Sequence, residues 1–177
     1  MDDSNHDQGS PGNRLRITEI FCSLQGESRT TGWPTTFIRL TGCPLRCGYC
    51  DTAYAFKGGE WLSIEEILRQ VGAIGVRHVT VTGGEPLAQH ATLGLLAKLC
   101  DSGYLVSLET SGALDISAVD PRVARVVDIK TPGSREQERN LWENLRHLRE
   151  SDQLKFVICD RSDYLWSKQL VEEHQLE

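Results

Sequence analysis

No stretch of the 177-residue sequence is apolar for long enough to cross a bilayer, and its first residues lack the basic, apolar and small-residue succession of a secretory leader. A soluble, cytoplasmic protein is the expectation. Positive charge is in short supply. The 19 Lys and Arg stand against 25 Asp and Glu, and a formal net charge of -6 opposes approach to nucleic-acid phosphates. Neither nucleic acid nor a membrane is therefore expected as a partner, whereas a small molecule is. Internal repeats and low-complexity tracts are absent, and none of the five histidines falls in a ligand pattern. Apolar residues make up 39% of the chain, enough for one packed core and hardly for two, so a single domain is expected. Six cysteines are present. In a reducing compartment they argue against a disulfide framework, and a close group among them points to metal or redox chemistry.

Residues 1–13 are polar and end in a Gly-Ser-Pro-Gly run and Asn13, a composition that cannot bury enough apolar surface to offset chain entropy; they are expected as a disordered tail before a domain over 14–177. Beyond it, β-branched runs at 35–41, 78–82, 104–109, 126–130 and 154–159 read as strands. Helical patterns lie between them. One opens on a Ser63/Glu66 capping box and buries Ile64, Ile67, Leu68 and Val71. A second buries Leu93, Leu96, Ala97 and Cys100 and stops at Gly103. A third carries Leu141, Leu145 and Leu148, and a fourth starts near Ser162. This alternation predicts an α/β fold: a partial, open (β/α) barrel of about six mostly parallel strands with helices outside. The polar segments 41–51, 83–85, 109–112 and 128–130 all fall at strand C-termini, the edge where such folds build their sites.

The most informative segment runs Thr41-Gly42-Cys43-Pro44-Leu45-Arg46-Cys47-Gly48-Tyr49-Cys50-Asp51-Thr52. Cys43, Cys47 and Cys50 supply three thiolates on a loop whose glycines and proline let the backbone curl, enough to cap three irons of one cubane and leave the fourth open. An open iron can take the amino and carboxylate groups of a methionine moiety. Structural zinc, which wants four ligands, and plain buried thiols are the competing readings. Cys22, Cys100 and Cys159 sit in apolar patterns and are expected in the core.

The Cys-x3-Cys-x2-Cys spacing resembles the signature of the radical S-adenosylmethionine (SAM) superfamily. Ser23-Leu24-Gln25-Gly26-Glu27, Phe37-Ile38-Arg39-Leu40, Cys50-Asp51-Thr52 and Val81-Thr82-Gly83-Gly84-Glu85-Pro86-Leu87 narrow the resemblance to the 7-carboxy-7-deazaguanine synthases. What the resemblance implies is a lyase that rearranges 6-carboxy-5,6,7,8-tetrahydropterin to 7-carboxy-7-deazaguanine with loss of ammonia, on the route to queuosine. It implies a [4Fe-4S] cluster on Cys43, Cys47 and Cys50. SAM would be held by Tyr49, Cys50, Asp51, Gly83, Gly84, Glu109, Ser111, Asp128, Ile129 and Lys130, and the pterin by Leu24, Gln25, Gly26, Arg39 and Thr82. Thr52 would carry Mg2+, an external flavodoxin or ferredoxin would be the reductant, and the protein would be a homodimer. Ser28 stands where a glycine is expected. The chain stops at Glu177 in or just past its fourth helix, where the family continues with a further strand, so an intact cluster with impaired turnover is expected. A glycyl-radical activating enzyme shares the cysteine triad, and a non-catalytic iron-sulfur or zinc module is the remaining alternative. The first gives no reason for Gln25, Arg39 and Thr52, the second none for Gly83-Gly84-Glu85-Pro86.

Overall fold

Strands β1 (Arg14–Leu24), β2 (Pro34–Leu40), β3 (Glu60–Ser63), β4 (His78–Gly83), β5 (Leu105–Thr110), β6 (Ala124–Ile129) and β7 (Gln153–Phe156) form one open sheet in the order β3-β1-β2-β4-β5-β6-β7. The computed structural model describes residues 13–176. The tail expected over 1–13 lies outside the described residues except for Asn13, whose amide donates to Glu65. Strands β2, β4, β5, β6 and β7 run parallel, and β1 pairs antiparallel with both β2 and β3. Parallel neighbours need long crossovers, which the helices α1 (Ile64–Ile74) and α2 (Thr92–Asp101) provide, and α3 (Arg161–His174) follows β7. The open barrel-like sheet of mostly parallel strands is as expected. Beyond the five runs read as strands the sheet holds β1 and β3, the latter a short edge strand whose Glu60 and Trp61 are exposed and which gives no apolar alternation to read.

Strand periodicity divides the sheet into two faces. On one, Ile38, Leu40, Val79, Val81, Val106, Leu108, Val127 and Ile129 pack against Ile67 and Val71 of α1 and Leu95, Leu96 and Leu99 of α2. Each such side chain contributes about 1.5–3 kcal/mol on burial. Helix α1 begins with the expected reciprocal Ser63–Glu66 capping box. In α2 the buried face is Thr92, Leu95, Leu96 and Leu99, so the expected stripe through Leu93, Ala97 and Cys100 is rotated to the flank of the core.

The third expected helix is not one. Residues 132–147 form successive short 3-10 turns. Two buried asparagines explain the interruption. Asn140 brackets Lys130, accepting from its amide at 2.8 Å and donating to its carbonyl at 2.9 Å. Asn144 donates to the Gly112 and Leu114 carbonyls and accepts from the Ile116 amide. These side chains clamp foreign backbone and so hold the segment against the strand ends, where a continuous helix would carry one of them away. Cys22 and Cys159 are exposed and Cys100 is half-buried, against the expectation of three core thiols. Cys22 lies where β1 has outrun its partner β3, and Cys159 lies beyond the end of β7.

The β1–β2 loop crosses the N-terminal end of the sheet to the far edge. The Arg29 amide donates to Gln153 at 2.7 Å, the Arg29 guanidinium to the Glu150 carbonyl at 3.1 Å, and Lys155 pairs with Glu27. Ser28, in this strap, adopts a left-handed φ of 69°, the conformation for which glycine is suited. Its hydroxyl bonds to Thr30 and steadies the turn.

Candidate active site

The second sheet face is polar. Register places Arg39, Thr82 and Glu109 side by side across β2, β4 and β5, with Asp128 opposite Lys155 one step further toward the C-terminal edge. Above them the segment 41–52 arches over a cavity of about 480 Å³. Its shape is fixed largely by backbone bonds: Gly42 donates to Ala55 and accepts from Glu85, Gly48 donates to Ser134, and Cys50 donates to Cys47. Leu45 is buried beneath it, and Arg46 returns its guanidinium to the carbonyls of Cys43 and Leu45 while lying over the Phe56 ring.

Cys43, Cys47 and Cys50 are half-buried and all three line this cavity. Burial pushes the Cys43 and Cys47 thiols up, and the Lys130 ammonium works against that. Among the described residues no three His, Cys, Asp or Glu side chains converge on a single-ion site. Ligands of a cubane each hold a different iron, so three thiols ringing a cavity suit a cluster in both donor type and arrangement. The other three cysteines are not among the lining residues.

Beneath the loop, Gly83 and Gly84 are dictated by contact. A Cβ on Gly83 would stand 2.6 Å from the Leu40 carbonyl oxygen, and one on Gly84 would collide with the Gly42 carbonyl oxygen and lie 2.8 Å from Cys43 Cβ. Glu85, whose side chain the sequence reading passed over, is completely buried and ties this turn to the end of β5. It accepts from the Leu87 amide at 2.9 Å, from the Thr110 hydroxyl at 3.0 Å, and from the Ser111 amide and hydroxyl at 2.7 and 2.5 Å. A buried carboxylate is tolerated only when supplied with donors in this way. Ser111 thereby commits its hydroxyl proton to Glu85 and retains only acceptor capacity toward a ligand.

Asp128 and Lys130 line the cavity and pair at 3.0 Å, and one Asp128 oxygen, Oδ1, is buried without a hydrogen-bond partner. Burial disfavours the Lys130 charge, but Asp128 together with Cys47 and Cys43 raises the ammonium's pKa. Lys130 also lies 5.8 Å above the Tyr49 ring, and burial together with Asp128 pushes the Tyr49 phenol up. Ile129, grouped with these two in the sequence reading, is a core residue, since strand alternation turns its side chain to the helices. Only its backbone can face the cavity.

The lower part of the cavity gathers Leu24, Gln25, Gly26, Arg39 and Thr82. Gln25 is buried and donates to Thr80 and Glu109, both at 3.2 Å, while Thr82 donates to the other Glu109 oxygen at 3.0 Å. Glu109, expected among the residues that hold SAM, therefore organises the residues expected to hold the pterin. Arg39 reaches the cavity wall between Phe21 and Tyr54. Asp51 and Thr52 also line the cavity, the Thr52 hydroxyl 3.8 Å from Cys50 Sγ. Phe21, Phe37, Glu27 and Lys155 also line the cavity and were not singled out from the sequence as site residues. For Lys155 a signal existed, because it alternates with Leu154 and Phe156 along an otherwise apolar strand.

Residues 37–129 match the radical SAM superfamily. The chain is 47% identical over 163 residues to the 7-carboxy-7-deazaguanine synthase of Chlorobaculum tepidum, covering 90% of this chain and 74% of that protein. To the synthase of Koribacter versatilis it is 45% identical over 165 residues, covering 92% and 73%. It belongs to the 7-carboxy-7-deazaguanine synthase family. Among solved structures, QueE from Escherichia coli superposes with a TM-score of 0.77 at 30% identity, over 90% of this chain and 78% of that one. Streptococcus suis SuiB bound to SAM matches at a TM-score of 0.54 and 17% identity, over 81% of this chain and 36% of that one, a likeness of fold. No helix among the described residues is long and apolar enough to cross a membrane.

Proposed function

We propose that this chain converts 6-carboxy-5,6,7,8-tetrahydropterin to 7-carboxy-7-deazaguanine with loss of ammonia, as a radical SAM lyase. The observation that carries the reading is the convergence on one cavity of the three loop cysteines, the Gly83-Gly84 turn, and the Gln25, Arg39 and Thr82 group. Cys43, Cys47 and Cys50 would hold the [4Fe-4S] cluster. When bound, cluster and SAM together supply the one-electron cleavage of a sulfonium and the carbon radical that starts the rearrangement.

The chain's own residues supply position and charge. Backbone groups at Gly83 and Gly84, the acceptor oxygens of Glu109 and Ser111, and the Asp128–Lys130 pair with Tyr49, Cys50, Asp51 and the Ile129 backbone would orient SAM. Gln25, held through its amide nitrogen, and Thr82 would meet the pterin ring edge, with Leu24 and Gly26 flanking it. Arg39 would take the carboxylate. Thr52 would contribute a hydroxyl to Mg2+, a hard cation that keeps several waters and is completed by substrate oxygens. A flavodoxin or ferredoxin as reductant, assembly as a homodimer and a cytoplasmic location complete the proposal.

The test is anaerobic reconstitution followed by assay of deoxyadenosine and of 7-carboxy-7-deazaguanine from the pterin. Both products should appear, and the deazaguanine only with cluster, SAM and reductant present. Deoxyadenosine formation with no deazaguanine from any reconstituted preparation would defeat the substrate assignment while leaving SAM cleavage intact.

A further inference from the structure

Strand β1 changes register against β2 at a bulge: Ile17 lies opposite Leu40, yet Glu19 lies opposite Arg39. The extra residue is Thr18, whose hydroxyl turns to that of Thr41 at 2.7 Å. Without it, strict pairing from Ile17 would set Glu19 opposite Ile38, on the helix-facing side of the sheet. The bulge delivers a carboxylate to the cavity face beside a guanidinium.

There Glu19 Oε1 accepts from Arg39 Nε at 2.7 Å and from the Tyr54 hydroxyl at 2.8 Å. The guanidinium carbon lies 5.9 Å from the Phe21 ring centre and 6.0 Å from that of Tyr54, and Phe21 stacks on Phe37 at 5.2 Å. Neither Nη1 nor Nη2 of Arg39 has a hydrogen-bond partner among the described residues. A guanidinium offers a carboxylate two kinds of edge, the side edge through Nε and the end edge through Nη1 and Nη2. Glu19 occupies the first. The aromatic rings limit rotation of the second.

We infer that Glu19 is a positioning residue, holding Arg39 by Nε so that the Nη1–Nη2 edge alone meets the substrate carboxylate. The inference rests on the proposed contact between Arg39 and the pterin. Although burial disfavours its charge, the bonds from Tyr54 and Arg39 hold the Glu19 carboxyl below its ordinary pKa. Glu19 already partly neutralises the Arg39 charge. A monodentate anion therefore gains little there, whereas a planar carboxylate gains two parallel bonds. Tyr54 connects this lock to the segment just after Thr52, so the carboxylate anchor and the cluster loop share one strut.

The test measures affinity for the 6-carboxy pterin, and for the tetrahydropterin lacking the carboxylate, by calorimetry on the reconstituted enzyme. Glu19→Ala should weaken the carboxylated ligand about tenfold or more. It should leave the other ligand, SAM affinity and kcat at saturation within about twofold, so that the loss falls on KM. Glu19→Gln, whose amide oxygen still accepts from Nε, should recover most of the affinity. In an Arg39→Ala background, Glu19→Ala should change nothing further. Wild-type affinity in Glu19→Ala, with the expected loss in Arg39→Ala, would overturn the positioning role and leave the Arg39 contact standing. An undiminished Glu19→Ala penalty in the Arg39→Ala background would overturn it too. Wild-type affinity in Arg39→Ala would remove the contact itself, and the inference with it. Should the alanine variant not fold, Glu19→Leu, which keeps the bulk and loses the acceptor, is read by the same outcomes.

Discussion

Gly84 and Cys43 touch with no room for a methyl group between them: a Cβ added to Gly84 would come within 2.8 Å of the Cys43 Cβ and run into the Gly42 carbonyl oxygen. Because Gly42 also accepts the Glu85 amide, the turn after β4 and the start of the cysteine loop form one unit. Gly84→Ala should force them apart at a cost of about 1–3 kcal/mol. Iron per chain after reconstitution should fall well below wild type. A variant that loads iron and sulfide fully would show that the loop can yield.

Single replacement of Cys43, Cys47 or Cys50 by Ala should abolish cluster-dependent SAM cleavage, since each lost thiolate leaves an iron uncapped. Cys22→Ser and Cys159→Ser should keep the cluster and cost almost nothing, both sites being exposed. Cys100→Ala should cost about 1 kcal/mol or less, being only half-buried at the edge of the core. Iron and sulfide counts on the six variants decide the matter, and a cluster lost in folded Cys22→Ser would make that residue a ligand.

Arg39→Ala should weaken pterin binding by about 30- to several-thousand-fold, by stranding a partly desolvated carboxylate. SAM should bind as before and be cleaved slowly without product, while Arg39→Lys should restore charge but not the planar fork and show intermediate activity. Calorimetry paired with product yield per deoxyadenosine checks this. Equal pterin affinity in wild type and Arg39→Ala would send the search for the carboxylate anchor elsewhere in the cavity.

Asp152 couples the stability of the fold to pH through the buried Arg125. Its carboxylate accepts from the Arg125 backbone amide at 3.0 Å, the Arg125 guanidinium and the Arg149 amide at 2.9 Å. Burial alone would raise its pKa, but these bonds prevail and lower it. A depressed carboxyl stabilises the fold above its unfolded pKa and loses that contribution as pH falls through its folded one. Asp152→Ala should destabilise by about 3–5 kcal/mol at neutral pH, because it leaves Arg125 charged and buried. Urea titrations should show this gap between wild type and variant shrinking below the ordinary carboxylate range. A gap that stays constant with pH would mean that the pairing does not depend on ionisation.

The parallel strands were legible because β-branched runs such as His78–Thr82 have only one plausible periodicity, and the cysteine loop was legible because its chemistry lies in eight consecutive residues. Arg39 entered through the family resemblance alone, since alternation left both faces of β2 open to it; in the fold Ile38 and Leu40 take the helix side and leave Arg39 to the cavity. What escaped depends on contacts distant in sequence. Leu141, Leu145 and Leu148 have helical spacing, but Asn140 and Asn144 answer to Lys130 and Gly112, and no local pattern announces that. Glu85 reads as part of a turn until Thr110 and Ser111 are brought to it. Glu19 was invisible for a subtler reason: one bulge residue reverses which face of β1 it occupies.

The strap from β1 to β7 has a consequence for the order in which the chain becomes native. Glu27 and Lys155 are separated by 128 residues and Arg29 and Gln153 by 124, so these contacts must await closure of nearly the whole chain. Gln25 sits at the root of that strap, and its partners Thr80 and Glu109 also lie far downstream. During synthesis the first residues of the substrate wall to leave the ribosome are thus the last to acquire their neighbours, and a nascent chain that ends before β7 carries the floor of its own cavity unlatched.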